Sequence, residues 1–92
     1  MTEVLVGKIY KHFKGGYVKI ISVDKMPNSF MVTYQGIKDK KFYERELHDF
    51  GRVVKNVDGK YVPRFRLATY NEIYEILSEN ELQTYLQENN IL

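Results

Sequence analysis

The chain has 92 residues, enough for one domain with one modest core and too few for a large enzyme cleft. It has no cysteine, which excludes disulfide staples, thiolate metal sites and cysteine nucleophiles. The net charge of +2 hides an asymmetry: residues 1–66 hold all 14 Lys and Arg but 7 of the 12 acids, whereas residues 67–92 hold the other 5 acids and no base.

A basic body steers anionic partners toward itself, and an acidic tail either covers that surface or keeps the protein dispersed. No run approaches the roughly 18 apolar residues of a membrane span, and residues 1–7 lack the basic-then-apolar pattern of a signal peptide. The expectation is a cytoplasmic protein with no membrane partner, in the host cytoplasm if phage-encoded.

Residues 4–10 read as a first strand, β-branched and aromatic, with Gly7 as a bulge. Residues 11–16 form a loop around Gly15-Gly16, a pair that frees the backbone for positive φ. Residues 17–24 are the clearest strand, and the slip in alternation at Ile20-Ile21 predicts a bulge or burial on both faces. After a turn at Pro27-Asn28, residues 30–35 alternate with Phe30, Val32 and Tyr34 on one face. A fourth strand over 41–45 points Phe42 and Tyr43 to opposite faces, and a helical turn over 46–51 is anchored by Leu47 and Phe50. Residues 52–57 are a fifth strand, Asp58-Gly59 is a hairpin turn, and the return strand over 60–66 lies at an edge or stops at Pro63, which has no N–H to give a ladder.

From Thr69 the period changes to that of a helix. Tyr70, Ile73, Tyr74 and Leu77 share a face, and Thr69 with Glu72 and Ser78 with Glu81 each spell a capping box. The second box, and a stripe that Leu82 and Leu86 do not continue, predict two short helices or one kinked near 78–80. Their apolar stripe needs a cover, either the body of the same chain or a second copy of the tail in a homo-oligomer. The expected fold is mainly β with C-terminal α: a small SH3-like β-barrel of five to six antiparallel strands over 1–66, then an acidic helical extension over 67–92.

The candidate site gathers His12, Lys14, Gly15, Gly16 and Tyr17 at the glycine loop with Tyr43, Arg45 and Arg64. Cations beside exposed peptide groups suit a phosphate or carboxylate, arginine forks onto phosphate oxygens, and Tyr17, Tyr34 or Tyr43 offers a stacking face for a base. This requires that the two guanidinium groups share a cationic recess with the glycine turn and are not tied up by internal carboxylates. His12 and His48 are the only histidines and no carboxylate cluster sits at ligand spacing from either, so no metal or other cofactor is expected. No Gly-Lys-Ser/Thr follows Gly15-Gly16, which is therefore not a P-loop. The favoured function is a non-catalytic binder of a phosphorylated, nucleotide-like small molecule, such as a phage-type protein sequestering a signalling nucleotide. A nucleic-acid-binding barrel and an assembly domain built on the helical tail are the alternatives.

These residues also carry a resemblance. Tyr10, His12, Lys14, Gly15 and Gly16, the central Val32–Tyr34, and the closing Asp58, Gly59, Val62, Pro63, Arg64 and Phe65 resemble a small bacterial and phage family of unknown function, DUF1653, over about residues 7–66. Tyr43 stands where that family usually has tryptophan, Arg45 keeps its arginine, and Glu46 replaces its proline. The resemblance implies a compact, mostly β domain and brings no activity; the tail lies outside it.

Overall fold

Folding places seven strands ahead of the tail in a computed structural model that describes residues 4–91. The outermost residues of the two expected segments, 1–3 and 92, lie outside the described residues. The strands are β1 (Ile9–His12), β2 (Tyr17–Lys25), β3 (Phe30–Gly36), β4 (Phe42–Glu46), β5 (Val53–Lys55), β6 (Tyr61–Pro63) and β7 (Phe65–Leu67). The helices are α1 (Leu47–Phe50), α2 (Tyr70–Ile76) and α3 (Glu79–Glu88). Mainly β with C-terminal α is therefore the fold class.

The closed barrel is not formed. Five antiparallel strands make an open sheet in the order β4-β3-β2-β1-β7, and β5 with β6 makes a separate hairpin. The reason lies at Pro63-Arg64. Pro63 has no N–H for the β6 ladder; the Arg64 N–H makes one more bond of the hairpin, to the Arg52 carbonyl at 2.8 Å, while its own carbonyl accepts from the Phe13 N–H at 2.9 Å. Phe65 onward joins β1 instead, with His12 opposite Phe65. The expected 60–66 strand is thus two strands hinged at Arg64.

The first strand starts later than its β-branched run suggests. Gly7 adopts φ 85° in a turn, its N–H donating to the Ile20 carbonyl at 2.8 Å, and pairing begins only at Ile9. The strand consequently reaches His12, which the sequence assigns to the loop. The slip at Ile20-Ile21 is a bulge: β2 pairs with β3 in one register up to Ile20 and in a shifted one from Ser22.

Both faces of the sheet are covered, so neighbours on β1 serve different cores. Tyr10 joins Val18, Ile20, Val32, Tyr34, Phe50 and Phe65 on one side, where the Phe50 and Phe65 rings stack at 4.2 Å. Ile9 joins Ile73, Tyr85 and Leu86 on the other, under α2 and α3. Both capping boxes form, with extended Leu77 between the helices. Of the tail's stripe, Ile73 and Leu77 are covered by the protein's own sheet, whereas Tyr70 and Tyr74 stay exposed. Its acids meet bases of the body: Glu88 pairs with Lys19 at 3.1 Å, Glu81 with Lys40 at 2.8 Å, and Glu72 with Arg66 at 2.9 Å and Lys11 at 3.4 Å. No described helix is long and apolar enough to cross a membrane.

Candidate functional site

The glycine loop closes β1 onto β2. The His12 N–H donates to the Gly16 carbonyl at 3.0 Å and the Gly15 N–H to the His12 carbonyl at 2.9 Å, with Gly15 and Gly16 at φ 98° and 85°. Only glycine takes two successive positive φ values without steric cost. No other atom stands within 4 Å of where a Cβ would sit on either residue, so the loop is open to solvent on its outer side.

Beside it lies an open cavity of about 520 Å³. His12, Gly15, Gly16 and Tyr17 line it from the loop, Tyr43 and Arg45 from β4, and Tyr34 and Phe65 from below. Strand alternation accounts for the β4 side, since residues 43 and 45 project to the same face and 42 and 44 to the other. Tyr43 sits opposite Tyr34 in the ladder, and their rings stack at 5.6 Å and 20°. The wall is mostly aromatic with a polar rim, the usual make-up of a small-molecule cleft.

Two of the expected residues fall elsewhere. Lys14 reaches over the Phe13 ring, 5.6 Å from its centroid, and does not line the cavity. Arg64 does not line it either. It lies mostly buried, with Nη2 3.6 Å from Asp49 Oδ1 and a buried Nε that has no partner. Arg45 shares that carboxylate through Nη1 at 2.5 Å and donates through Nε to the Tyr34 hydroxyl at 3.4 Å.

The two arginines meet at one internal carboxylate, Asp49, and Arg64 stands outside the cavity. A phosphate gripped jointly by two free guanidinium forks is not the arrangement present. Asp49 offsets one positive charge of the two, and the excess is felt at His12. Burial, then the charges of Arg45, Arg64 and Lys14, hold the imidazole below its ordinary value of 6.5. Neutral at pH 7, His12 accepts the Lys14 N–H on Nδ1 at 3.2 Å, which leaves the proton on Nε2 as a donor. Its ring packs edge-on to Phe65 at 4.9 Å.

Sequence reasoning passed over Asp49, Lys38 and Asp39. Asp49 stands four residues after Arg45 across the β4–α1 junction, a spacing that signals a pair only once the helical turn is known. Lys38 and Asp39 line the cavity from the turn between β3 and β4. The Asp39 carboxylate accepts from the Tyr43 hydroxyl and from the Lys41 N–H at 3.0 Å; these bonds hold its pKa down, and the tyrosine's is raised in return. Tyr17 is fixed from behind by donating to Glu72 of α2 at 3.0 Å. Among the described residues no group of three or more His, Asp or Glu is placed to hold a metal ion.

No curated protein and no solved structure is significantly similar to the chain. One family model matches, that described as protein of unknown function (DUF1653), over residues 8–67. That span runs from the residue before β1 to the end of β7 and takes in the glycine loop, the β4 face and the Arg64 hinge, leaving out residues 1–7 and the helical tail. The chain is a member of the DUF1653 family.

Proposed function

We propose that this protein is a non-catalytic binding module whose aromatic cavity takes a flat, anionic, nucleotide-like small molecule. One observation carries the reading: a single cavity of about 520 Å³ is walled by Tyr34, Tyr43 and His12 and rimmed by Gly15, Gly16, Arg45 and Lys38. Its volume falls within the roughly 300–1,000 Å³ typical of small-molecule clefts. Aromatic faces favour a planar ring, and base–aromatic stacking contributes about 1–3 kcal/mol per base.

The anionic group is held by less charge than two free arginines would supply. Arg45 commits Nη1 and Nε within the chain, and Nη2 remains to meet an oxygen. Lys38, the Nε2–H of neutral His12 and the peptide groups at the glycine turn add to it. A long polyanion is a poorer fit, because Lys11, Lys19, Lys40 and Arg66 already face glutamates of the tail. In a cytoplasmic setting such a module serves to sequester or sense a signalling nucleotide.

Thermal-shift and calorimetric titration with mononucleotides and cyclic dinucleotides test the proposal. A saturable rise in Tm without turnover is expected, weakened by Arg45→Ala. No shift with any member of the panel overturns it.

A further inference from the structure

The β4 side of the cavity has a polarity that the aromatic lining alone does not require. Along one face, from the β3–β4 turn down the strand, stand the Asp39 carboxylate, the Tyr43 ring and the Arg45 guanidinium. Tyr43 and Arg45 are two strand residues apart, about 7 Å along the chain. The Tyr43 hydroxyl reaches back to Asp39, and Arg45 reaches the Tyr34 hydroxyl on the other side of the stacked pair. A ligand lying on these rings has an acceptor-only group near one end and a cation near the other.

Asp39 is a prepared group. The backbone makes room for it: a Cβ on Gly36 would stand 2.0 Å from Asp39 Oδ1 and 2.9 Å from its Cγ, so the carboxylate occupies the space a side chain would fill. The turn that carries it is fixed on several sides. Gly36 N–H donates to the Lys41 carbonyl at 2.9 Å and Lys40 N–H to the Gly36 carbonyl at 3.0 Å, Gln35 Nε2 donates to the Lys40 carbonyl at 3.0 Å, and Lys40 Nζ pairs with Glu81 of α3 at 2.8 Å. An ionised carboxylate accepts about four hydrogen bonds. Oδ1 accepts from the Lys41 N–H and Oδ2 from the Tyr43 hydroxyl, and the backbone N–H of Asp39 itself also bears on the carboxylate, which leaves acceptor capacity on its exposed side for a ligand's donors.

We infer that Asp39 reads the base of the bound nucleotide, and that two side-by-side acceptors flanking an aromatic slot select a 2-amino-6-oxopurine, the guanine type, whose ring N–H and exocyclic amine are adjacent donors. This rests on the nucleotide reading above. Adenine sets a ring nitrogen acceptor beside its amine and meets the carboxylate with repulsion at one of the two positions. Hypoxanthine keeps the ring N–H and lacks the amine. Uracil has one N–H flanked by two carbonyls. The base then lies over the exposed Tyr43 ring, which buried Tyr34 backs, with its phosphate toward Arg45 and the glycine turn.

Calorimetric titration of the intact protein with GMP, IMP, AMP and UMP at one salt concentration tests this. GMP is expected to bind about tenfold more tightly than IMP, the discrimination of one good bidentate contact, and more tightly still than AMP. Asp39→Asn, which keeps an oxygen for the Lys41 N–H and replaces the other with a donor, is expected to bring GMP and IMP to equal affinity. Equal affinities across the four in the unaltered protein overturn the base assignment and leave the nucleotide reading standing. An undiminished preference for GMP in Asp39→Asn also overturns it. No binding of any of the four overturns the base assignment, and no binding of the cyclic dinucleotides besides removes the nucleotide reading as well.

Discussion

The Tyr17 hydroxyl, on the sheet face that the helices cover, donates to the Glu72 carboxylate at 3.0 Å, which makes the first helix of the tail part of the support of the strand whose start lines the cavity. Glu72 also receives both ends of the Arg66 guanidinium at 2.9 Å and closes the capping box on the Thr69 N–H at 2.9 Å. One carboxylate thus fastens β7, β2 and the start of α2. Thr69→Ala is expected to cost about 1 kcal/mol through the lost cap alone. Glu72→Gln is expected to lower Tm and to weaken nucleotide binding through a loosened Tyr17, a coupling that the Thr69 variant lacks. Denaturation and ligand titration on the two variants separate the effects.

The acids of the tail give stability a defined acid limb. Lys40, then the Ser78 backbone N–H and hydroxyl, hold Glu81 down at about 2 against an ordinary value of 4.5, and Arg66 with Thr69 and Tyr17 depresses Glu72 as well. A carboxyl whose folded pKa is depressed contributes fully above the unfolded value and loses that contribution as pH falls through the folded one. The carboxylate contribution to the urea midpoint is expected to hold from pH 7 to about 5 and to decline between 4.5 and about 2. Glu81→Gln should lie below the parent at neutral pH and decline less steeply in that window.

His12 acts in the same sense at higher pH. Its pKa is lowered on folding, so the unfolded chain takes the proton more readily and stability falls as pH drops below about 6.5. An NMR titration should place His12 below that value, and Arg45→Ala should raise it by removing one of the charges that oppose protonation. A His12 that titrates at or above 6.5 in the parent contradicts the positive field assigned to the cavity.

The legible parts of this fold are those fixed by neighbours in sequence. Ile20-Ile21 announced a bulge or burial on both faces because alternation is local, and Thr69-Glu72 and Ser78-Glu81 announced two helices or one kinked near 78–80 because a capping box needs only four residues; the bulge and the two helices are what form. The open sheet was not legible, because it depends on Arg64 handing its N–H to Arg52 and its carbonyl to Phe13, partners some 12 and 51 residues away. Gly7, which reads as a bulge within a strand, instead forms a turn that shifts β1 onto His12. At the site, the glycine loop and the β4 face were visible as residue types. The carboxylate that holds the arginines was not, since Asp49 meets Arg64 only after both the α1 turn and the β6–β7 hinge have formed.

Gly36 offers a direct check on the β3–β4 turn. Its Cβ would meet Asp39 Oδ1 at 2.0 Å, and that oxygen is held by the Lys41 N–H and cannot swing aside freely. Gly36→Ala is expected to cost about 1–3 kcal/mol, the range for forcing atoms into filled space, and to expel the carboxylate from Tyr43. By contrast Gly16→Ala meets open space and carries only the positive-φ strain, about 1–2 kcal/mol. Loss of the GMP preference in the first variant and its retention in the second would locate base recognition at the turn; equal behaviour of the two would not support it.

Asp49 sets how much positive charge the cavity presents, and its removal is expected to act on stability and affinity in opposite directions. With the carboxylate present, Arg45 donates Nη1 to it at 2.5 Å and Arg64 Nη2 lies 3.6 Å away. Asp49→Asn leaves two guanidinium groups facing each other without a counter-ion, which lowers Tm in ligand-free protein through like-charge repulsion. The same variant raises the net charge beside His12 by one and frees Arg45 Nη1, so an anionic nucleotide should bind more tightly and restore more of the lost Tm than it adds to the parent. The gain should shrink as salt is raised. Arg64→Ala is expected to lower Tm through lost packing of its mostly buried stem while leaving Arg45 on Asp49. Should Asp49→Asn weaken phosphate-dependent binding instead, Asp49 would be acting to position Arg45 for the ligand, and the freed guanidinium groups would not be the source of affinity.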